Sequence, residues 1–125
     1  MALKLRMGVA DGVTMTVGHR GTFAFDRMSE GWTQTTAVLV ARVLHPFDDN
    51  DRPSRRLRKK VTRRSREFAR LGAMPEWRSL TLAYGVALDY WKYALSDGDT
   101  GLAGRWQQLC GELQVAYRQR PGGPR

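Results

Sequence analysis

The spacing of apolar residues predicts two long helices in the C-terminal half of the chain. Apolar side chains recur every three or four residues from about residue 74 to 95, and again from about 102 to 118. The first segment is apolar on two sides, which favours a central position in a bundle. Pro75 suits the first turn of one helix, and Asp99 or Thr100 can cap the other. We expect the large apolar positions of these seams in the core: Trp77, Trp91, Leu95, Trp106 and Cys110.

Two further helices are predicted upstream. Residues 33–45 are helical in pattern, although their β-branched residues lower helix propensity. The stretch PFDDND interrupts this pattern, and a helix of about 20 residues follows over 52–72, with Asp51 as a plausible N-cap and Gly72 as its stop. The sequence therefore predicts a mainly α protein, a small bundle of about four helices in a single domain over 1–120, with a flexible tail over 121–125.

The first 30 residues support two interpretations. VTMTVGHRGTFAF alternates apolar and polar residues as a β-hairpin does, with GHRG as its loop. Phe25, Met28, Trp32, Leu39 and Val43 also fit one helical stripe. We favour an irregular or hairpin N-terminus, and the helical alternative stays open.

The charge of the chain is concentrated in one segment. The formal net charge is +9, and RPSRRLRKKVTRRSREFARLG (residues 52–72) holds ten basic side chains and one acidic side chain. The rest of the chain holds equal numbers of the two signs. This segment therefore accounts for the whole net charge.

On a helical wheel the segment separates into two faces. Leu57, Val61, Phe68 and Leu71 fall on one side, and six basic residues fall within about 80° of one another on the other side. A disordered tail has no reason to keep an apolar seam opposite its charges. Arg64 projects on the apolar side, where it either pairs with an acid of a neighbouring helix or marks the end of the seam.

A helix face of nearly one sign favours a polyanionic partner. All of its polar groups are Arg or Lys, which favours contacts with phosphates over readout of base edges. We expect nucleic-acid binding with little sequence preference, RNA or single-stranded DNA being favoured. The candidate binding residues are Arg52, Arg55, Arg56, Lys59, Lys60, Arg63, Arg66 and Arg70.

Other chemistry is poorly supported by the sequence. His45 precedes Asp48, Asp49 and Asp51, but this spacing is not that of a calcium loop, and an acidic turn before the basic helix is the simpler interpretation. No Ser-His-Asp motif, P-loop or zinc-protease motif is present. We expect no catalytic residues, no metal site and no cofactor. No apolar run is long enough to cross a membrane, and no secretory signal is evident, so a cytoplasmic protein without a membrane partner is expected.

A small, basic, mostly helical chain with its charge on one helix face resembles the small helical subunits of CRISPR effector complexes. The resemblance covers about residues 33–120 and rests on architecture and charge. It implies a ribonucleoprotein subunit that packs in several copies beside other protein subunits and supports the crRNA or a target strand. Arg55, Lys59, Arg63 and Arg66 would then face nucleic acid. An N-terminal hairpin would depart from that family's all-helical pattern.

Two other functions stay open at this point. A phage or plasmid DNA-handling protein, similar to a small terminase subunit, would use the two C-terminal helices for oligomerisation. A protein-interaction module would instead present the arginine face to an acidic partner protein.

Overall fold

The computed structural model of the chain confirms a mainly α fold. It describes residues 5–10, 13–17, 23–27, 32–48, 50–71 and 74–120. Four helices form the described bundle: α1 Gln34–Leu44, α2 Arg55–Arg70, α3 Glu76–Ser96 and α4 Thr100–Gln119.

In the part of the chain that the structure describes, three short strands precede the helices. They are β1 Leu5–Ala10, β2 Val13–Val17 and β3 Phe23–Arg27, and they form an antiparallel sheet in that order. β2 and β3 pair with Met15 opposite Phe25, so they correspond to the two halves of the segment for which the alternation favoured a hairpin. The predicted GHRG loop lies outside the described residues, and β1 was not predicted.

α3 occupies the centre of the helical bundle, as its two apolar faces predicted. It packs along the length of α4 and also contacts α1 and α2. Each helix contributes fully buried side chains, because an amphipathic helix gains stability by removing its apolar stripe from water. The core includes Val40, Leu57, Leu80, Tyr90 and Leu113.

Two predicted core positions are wrong. Trp77 is 50% exposed and Leu95 is 54% exposed. Both lie in the terminal turns of α3, where a helix has neighbours on fewer sides. Trp106 and Cys110 are buried as predicted, and Trp91 is half-buried against the core. Trp32 is buried too, and its Nε1 donates to the Met74 carbonyl at 3.2 Å.

The helix caps confirm the prediction for Asp99, correct the one for Asp51, and add a cap at Thr33 that was not predicted. The Asp99 carboxylate accepts from the Leu102 N–H at 3.1 Å, and Thr33 caps α1. α2, however, is capped by Ser54, whose Oγ accepts from the Leu57 N–H at 3.1 Å and donates to Asp97 at 2.5 Å. Asp51, the predicted cap, instead accepts from Arg105 of α4 at 2.7 Å.

Because Ser54 rather than Asp51 is the cap, the basic helix is shorter than predicted. α2 has 16 residues and begins at Arg55, so Arg52 precedes the helix. Leu71 follows the last helical residue and is exposed, whereas Leu57, Val61 and Phe68 are buried as the wheel predicted. The apolar seam of α2 therefore ends at Phe68, and the predicted stop at Gly72 lies outside the described residues.

Candidate nucleic-acid interface

Five basic side chains lie exposed along one side of α2. This basic stripe consists of Arg55, Lys59, Arg63, Arg66 and Arg70. At 1.5 Å per residue it is about 22 Å long. Within the described residues none of the five forms an ion pair with a carboxylate. Several acidic side chains elsewhere form ion pairs with other basic residues. Arg52 lies before the helix and donates to the Asp51 carbonyl at 3.0 Å.

The direction of the stripe is fixed by contacts on both flanks of α2. On one flank, Asp89 of α3 accepts from Lys60 at 2.9 Å and from Arg64 at 3.0 Å. On the other flank, the Ser65 hydroxyl donates to the Leu44 carbonyl of α1 at 2.9 Å. Because α2 is held on both sides, the stripe faces outward without needing a ligand to orient it.

Arg64 is therefore not an interruption of the seam. It pairs with an acid of a neighbouring helix, which was one of the two interpretations that the sequence allowed. A second ion pair to Glu67 at 3.3 Å holds the guanidinium from its own helix. Burial opposes the charge of Arg64, but the bonds to Asp89 and Glu67 outweigh it and raise its pKa.

The Asp89 carboxyl is ionised at neutral pH because its pKa is lowered. Partial burial would raise the pKa of its carboxyl, but the hydrogen bonds and charges of Lys60 and Arg64 outweigh that effect and lower it. The carboxylate thus pairs with two of the ten basic groups of the segment, and neither of these belongs to the stripe.

A groove of about 720 Å³ runs beside the stripe, between α2 and α3. Its basic walls surround the aromatic ring of Tyr93 from α3. The Lys60 ammonium lies 4.0 Å from the ring centroid of Tyr93, and the Arg56 guanidinium carbon lies 5.0 Å from it. The remaining lining residues are Arg55, Lys59 and Arg63. The groove thus combines positive charge with one aromatic face.

The eight predicted binding residues fall into four environments. The five residues of the stripe are exposed, Arg56 is exposed beside Tyr93, and Arg52 precedes the helix. Lys60 differs from them, because it lies on the flank of α2 that packs against α3. Its side chain is 8% exposed and its charge is paired with Asp89, so it supports the groove wall rather than extending the stripe.

Sequence reasoning missed Asp89 and Tyr93 as parts of this site. Asp89 is the only acid of α3 beyond its first residue, so it could have been proposed as the partner of Arg64. Tyr93 lies one turn further along the same face. Nothing in the local pattern distinguishes its ring from those of the core aromatics.

The acidic turn before α2 binds the side chain of Arg105 from α4. Asp48 and Asp51 lie 3.7 Å and 2.7 Å from the guanidinium of Arg105. His45 is half-buried, burial lowers its pKa, and its Nε2 has no hydrogen-bond partner. Among the described residues no cluster of three or more His, Cys, Asp or Glu side chains could hold a metal ion. Asp49 is outside the described residues.

Comparison with protein-family models, curated proteins and solved structures finds no match to this chain. No helix in the described part of the chain is long and apolar enough to span a membrane. Function must therefore be inferred from the arrangement of the side chains.

Replacing Asp89 with Asn is expected to lower the free energy of unfolding at neutral pH by about 1–2 kcal/mol. The loss reflects charge-assisted hydrogen bonds, discounted because Asp89 and Arg64 are partly solvated. In the native protein this contribution is present above the ordinary carboxyl pKa of 3.8 and is lost as the pH falls through the lowered value in the folded state. In urea denaturation, the free energies of unfolding of the wild type and of Asp89→Asn should therefore differ at neutral pH and become similar in acid.

The matched control for this prediction is Glu112→Gln. Glu112 pairs with Arg42 at 3.0 Å on the exposed side of the bundle, and both side chains are about 40% exposed. Such surface pairs contribute a few tenths of a kcal/mol. Equal destabilisation by the two substitutions would contradict a special role for the Asp89 contacts.

Proposed function

We propose that this protein is a non-catalytic nucleic-acid-binding subunit that contacts the sugar-phosphate backbone through α2. The observation that carries the proposal is the basic stripe: five exposed cations on a helix whose opposite face is buried, with no carboxylate partner in the described residues. An ordinary solvated helix face mixes the two signs of charge, whereas this one does not.

The energetics of α2 support a polyanionic partner. Successive stripe residues are separated by three or four positions, so each lies beside the next on the helix surface. Like charges at this spacing destabilise a helix by a few tenths of a kcal/mol per pair. A phosphate backbone would relieve this repulsion and release its own condensed counterions. The binding partner would thus stabilise the very helix that binds it.

The composition of the stripe favours backbone contacts over base readout. Specific recognition uses Asn, Gln or acidic side chains beside Arg, and the stripe has none of these. Arg and Lys contacts to phosphates fix position without reading sequence. We therefore expect affinities that vary little between oligonucleotides of equal length and strandedness.

The resemblance to the small subunits of CRISPR effector complexes extends this proposal to a host assembly. A bundle of four helices with a basic outer face suits a subunit that lies along a guide or target strand beside other protein subunits. In that setting the chain would prefer RNA or single-stranded DNA and would co-purify with a ribonucleoprotein.

A closed ring that prefers duplex DNA would instead favour the terminase-like function. Negligible affinity near 0.15 M salt, where surface charges are largely screened, would favour a protein partner.

The salt dependence of binding tests the proposal. If the five stripe residues each neutralise one phosphate, log K should fall against log salt with a slope of about −3.5 for a single strand and about −4.5 for a duplex. Arg63→Gln should make the slope shallower by nearly one unit. Arg118→Gln, an exposed arginine of α4, is the control and should leave it unchanged. Fluorescence anisotropy titrations of a labelled oligonucleotide at several salt concentrations measure these slopes. A slope near zero for the wild type would refute the proposal.

A further inference from the structure

Arg56 and Tyr93 form a contact that phosphate binding alone does not explain. Arg56 is exposed, but its guanidinium lies against the Tyr93 ring with 5.0 Å between the guanidinium carbon and the ring centroid. The stripe residues have no such contact in the described structure. A guanidinium placed on an aromatic ring is a flat, oriented surface rather than a freely moving charge.

The core and Lys60 hold the Tyr93 ring of this contact in place. Tyr93 is half-buried against the core, and the Lys60 ammonium lies 4.0 Å from its centroid. Lys60 is in turn fixed by Asp89 at 2.9 Å. Because this chain of contacts leads back to α3, the ring keeps its position without a ligand, and the Arg56 guanidinium lies against that ring.

We propose that Arg56, supported by Tyr93, is a stacking platform for an unpaired base, and that the groove therefore selects single strands over duplexes. The inference rests on the proposed function and names the form of nucleic acid that this site takes. Guanidinium planes and aromatic rings both stack on bases, and every base has a π face, so such a platform tolerates any sequence. A base in a duplex is paired and stacked, and it cannot reach the platform.

The shape of the groove agrees with this assignment. Its volume of about 720 Å³ lies within the range of sites that hold drug-sized molecules, about 300–1,000 Å³. Arg55, Lys59 and Arg63 line the same groove and belong to the stripe. A nucleotide could thus place its base on Arg56 while its phosphates lie on the stripe.

Two single-stranded probes separate stacking from charge. One is a short oligothymidylate, and the other is an abasic oligodeoxynucleotide of the same length, which keeps the phosphates and lacks the bases. We expect the protein to bind the oligothymidylate about tenfold more tightly. Arg56→Lys keeps the charge and removes the planar group, so it should abolish most of this preference and leave the affinity for the abasic strand within about twofold.

The matched control is Arg66→Lys, the same exchange on the stripe away from the groove, and it should retain the preference. Tyr93→Phe keeps the ring and should also retain it. Equal affinity of the wild type for both probes, or an equal loss for both in Arg56→Lys, would overturn the platform. Failure of the proposed function has a different signature, because neither probe would then bind, or binding would not depend on the stripe.

Discussion

Reversal of three charges in the basic stripe is expected to lower the affinity for nucleic acid by at least about a hundredfold near 0.15 M salt. The variant carries Arg55→Glu, Lys59→Glu and Arg63→Glu. Counterion release from a single strand contributes roughly fourfold per phosphate contact at this salt concentration, so the loss of three contacts alone lowers the affinity by about fiftyfold. Repulsion between the new carboxylates and the phosphates adds to this loss. Anisotropy titration of one labelled single strand measures the change.

The fold should survive this substitution. All three side chains are exposed and have no partner in the described structure, and Glu favours a helix about as well as Arg or Lys does. Like charges remain between positions 55 and 59 and between 59 and 63, and position 63 comes to repel Glu67, but the repulsion between position 63 and Arg66 becomes attraction, so these small effects largely cancel. Circular dichroism and thermal unfolding should therefore give values close to those of the wild type, which separates loss of binding from loss of structure.

The control must change the net charge by the same amount elsewhere. Arg78, Lys92 and Arg118 are exposed basic residues of α3 and α4, and replacing all three with Glu alters the net charge as much as the stripe variant does. We expect only a small loss of affinity from this control. An equal loss in the two variants would mean that net charge governs binding, and it would contradict a specific role for α2.

The helices of the C-terminal half could be predicted from the sequence because their burial is periodic. In α3 and α4 the buried faces consist mainly of apolar positions, joined in the first turn of α3 by Glu76 and Ser79. The two ends of α3 are the exceptions. Trp77 and Leu95 continue the periodic pattern, yet they are exposed, because periodicity describes the direction of a side chain and not the extent of the neighbouring helices.

The start of α2 shows what local patterns leave undetermined. Asp51 and Ser54 are both good N-cap residues. Arg105 of α4 engages Asp51, and Asp97 at the end of α3 accepts from Ser54, so contacts with distant helices accompany the choice between the two. The two residues of each contact lie more than 40 positions apart in the chain, so no local window of sequence contains both of them.

The candidate site divides in the same way. A wheel predicted the exposed stripe, because a single helix determines which of its residues share a face. The groove, however, depends on how α2 packs on α3. That packing places Tyr93 beside Arg56 and buries Lys60, and neither follows from the periodicity of either helix. The wheel thus predicted the charge of the surface, and the packing added its aromatic component.

Tyr90 joins three helices of the bundle. Its side chain on α3 is completely buried, and its ring centroid lies 5.3 Å from that of Trp106 on α4. Its hydroxyl donates to the Val61 carbonyl of α2 at 3.4 Å, a long contact. Burial raises the pKa of this phenol, so it remains a protonated donor across the neutral range.

Tyr90→Ala is expected to lower the free energy of unfolding by about 3–5 kcal/mol. The substitution leaves a cavity the size of an aromatic ring at the junction of α2, α3 and α4, and losses of this size are typical when large aromatic core residues are truncated. Tyr90→Phe retains the ring and should lose no more than about 1 kcal/mol, because the hydroxyl contact is long. Urea denaturation followed by tryptophan fluorescence measures both values. A loss below about 1 kcal/mol in Tyr90→Ala would contradict the central position of this ring. Where Tyr90→Ala stays folded, it should still bind nucleic acid, since Tyr90 supports the helix that carries the stripe and does not touch the ligand.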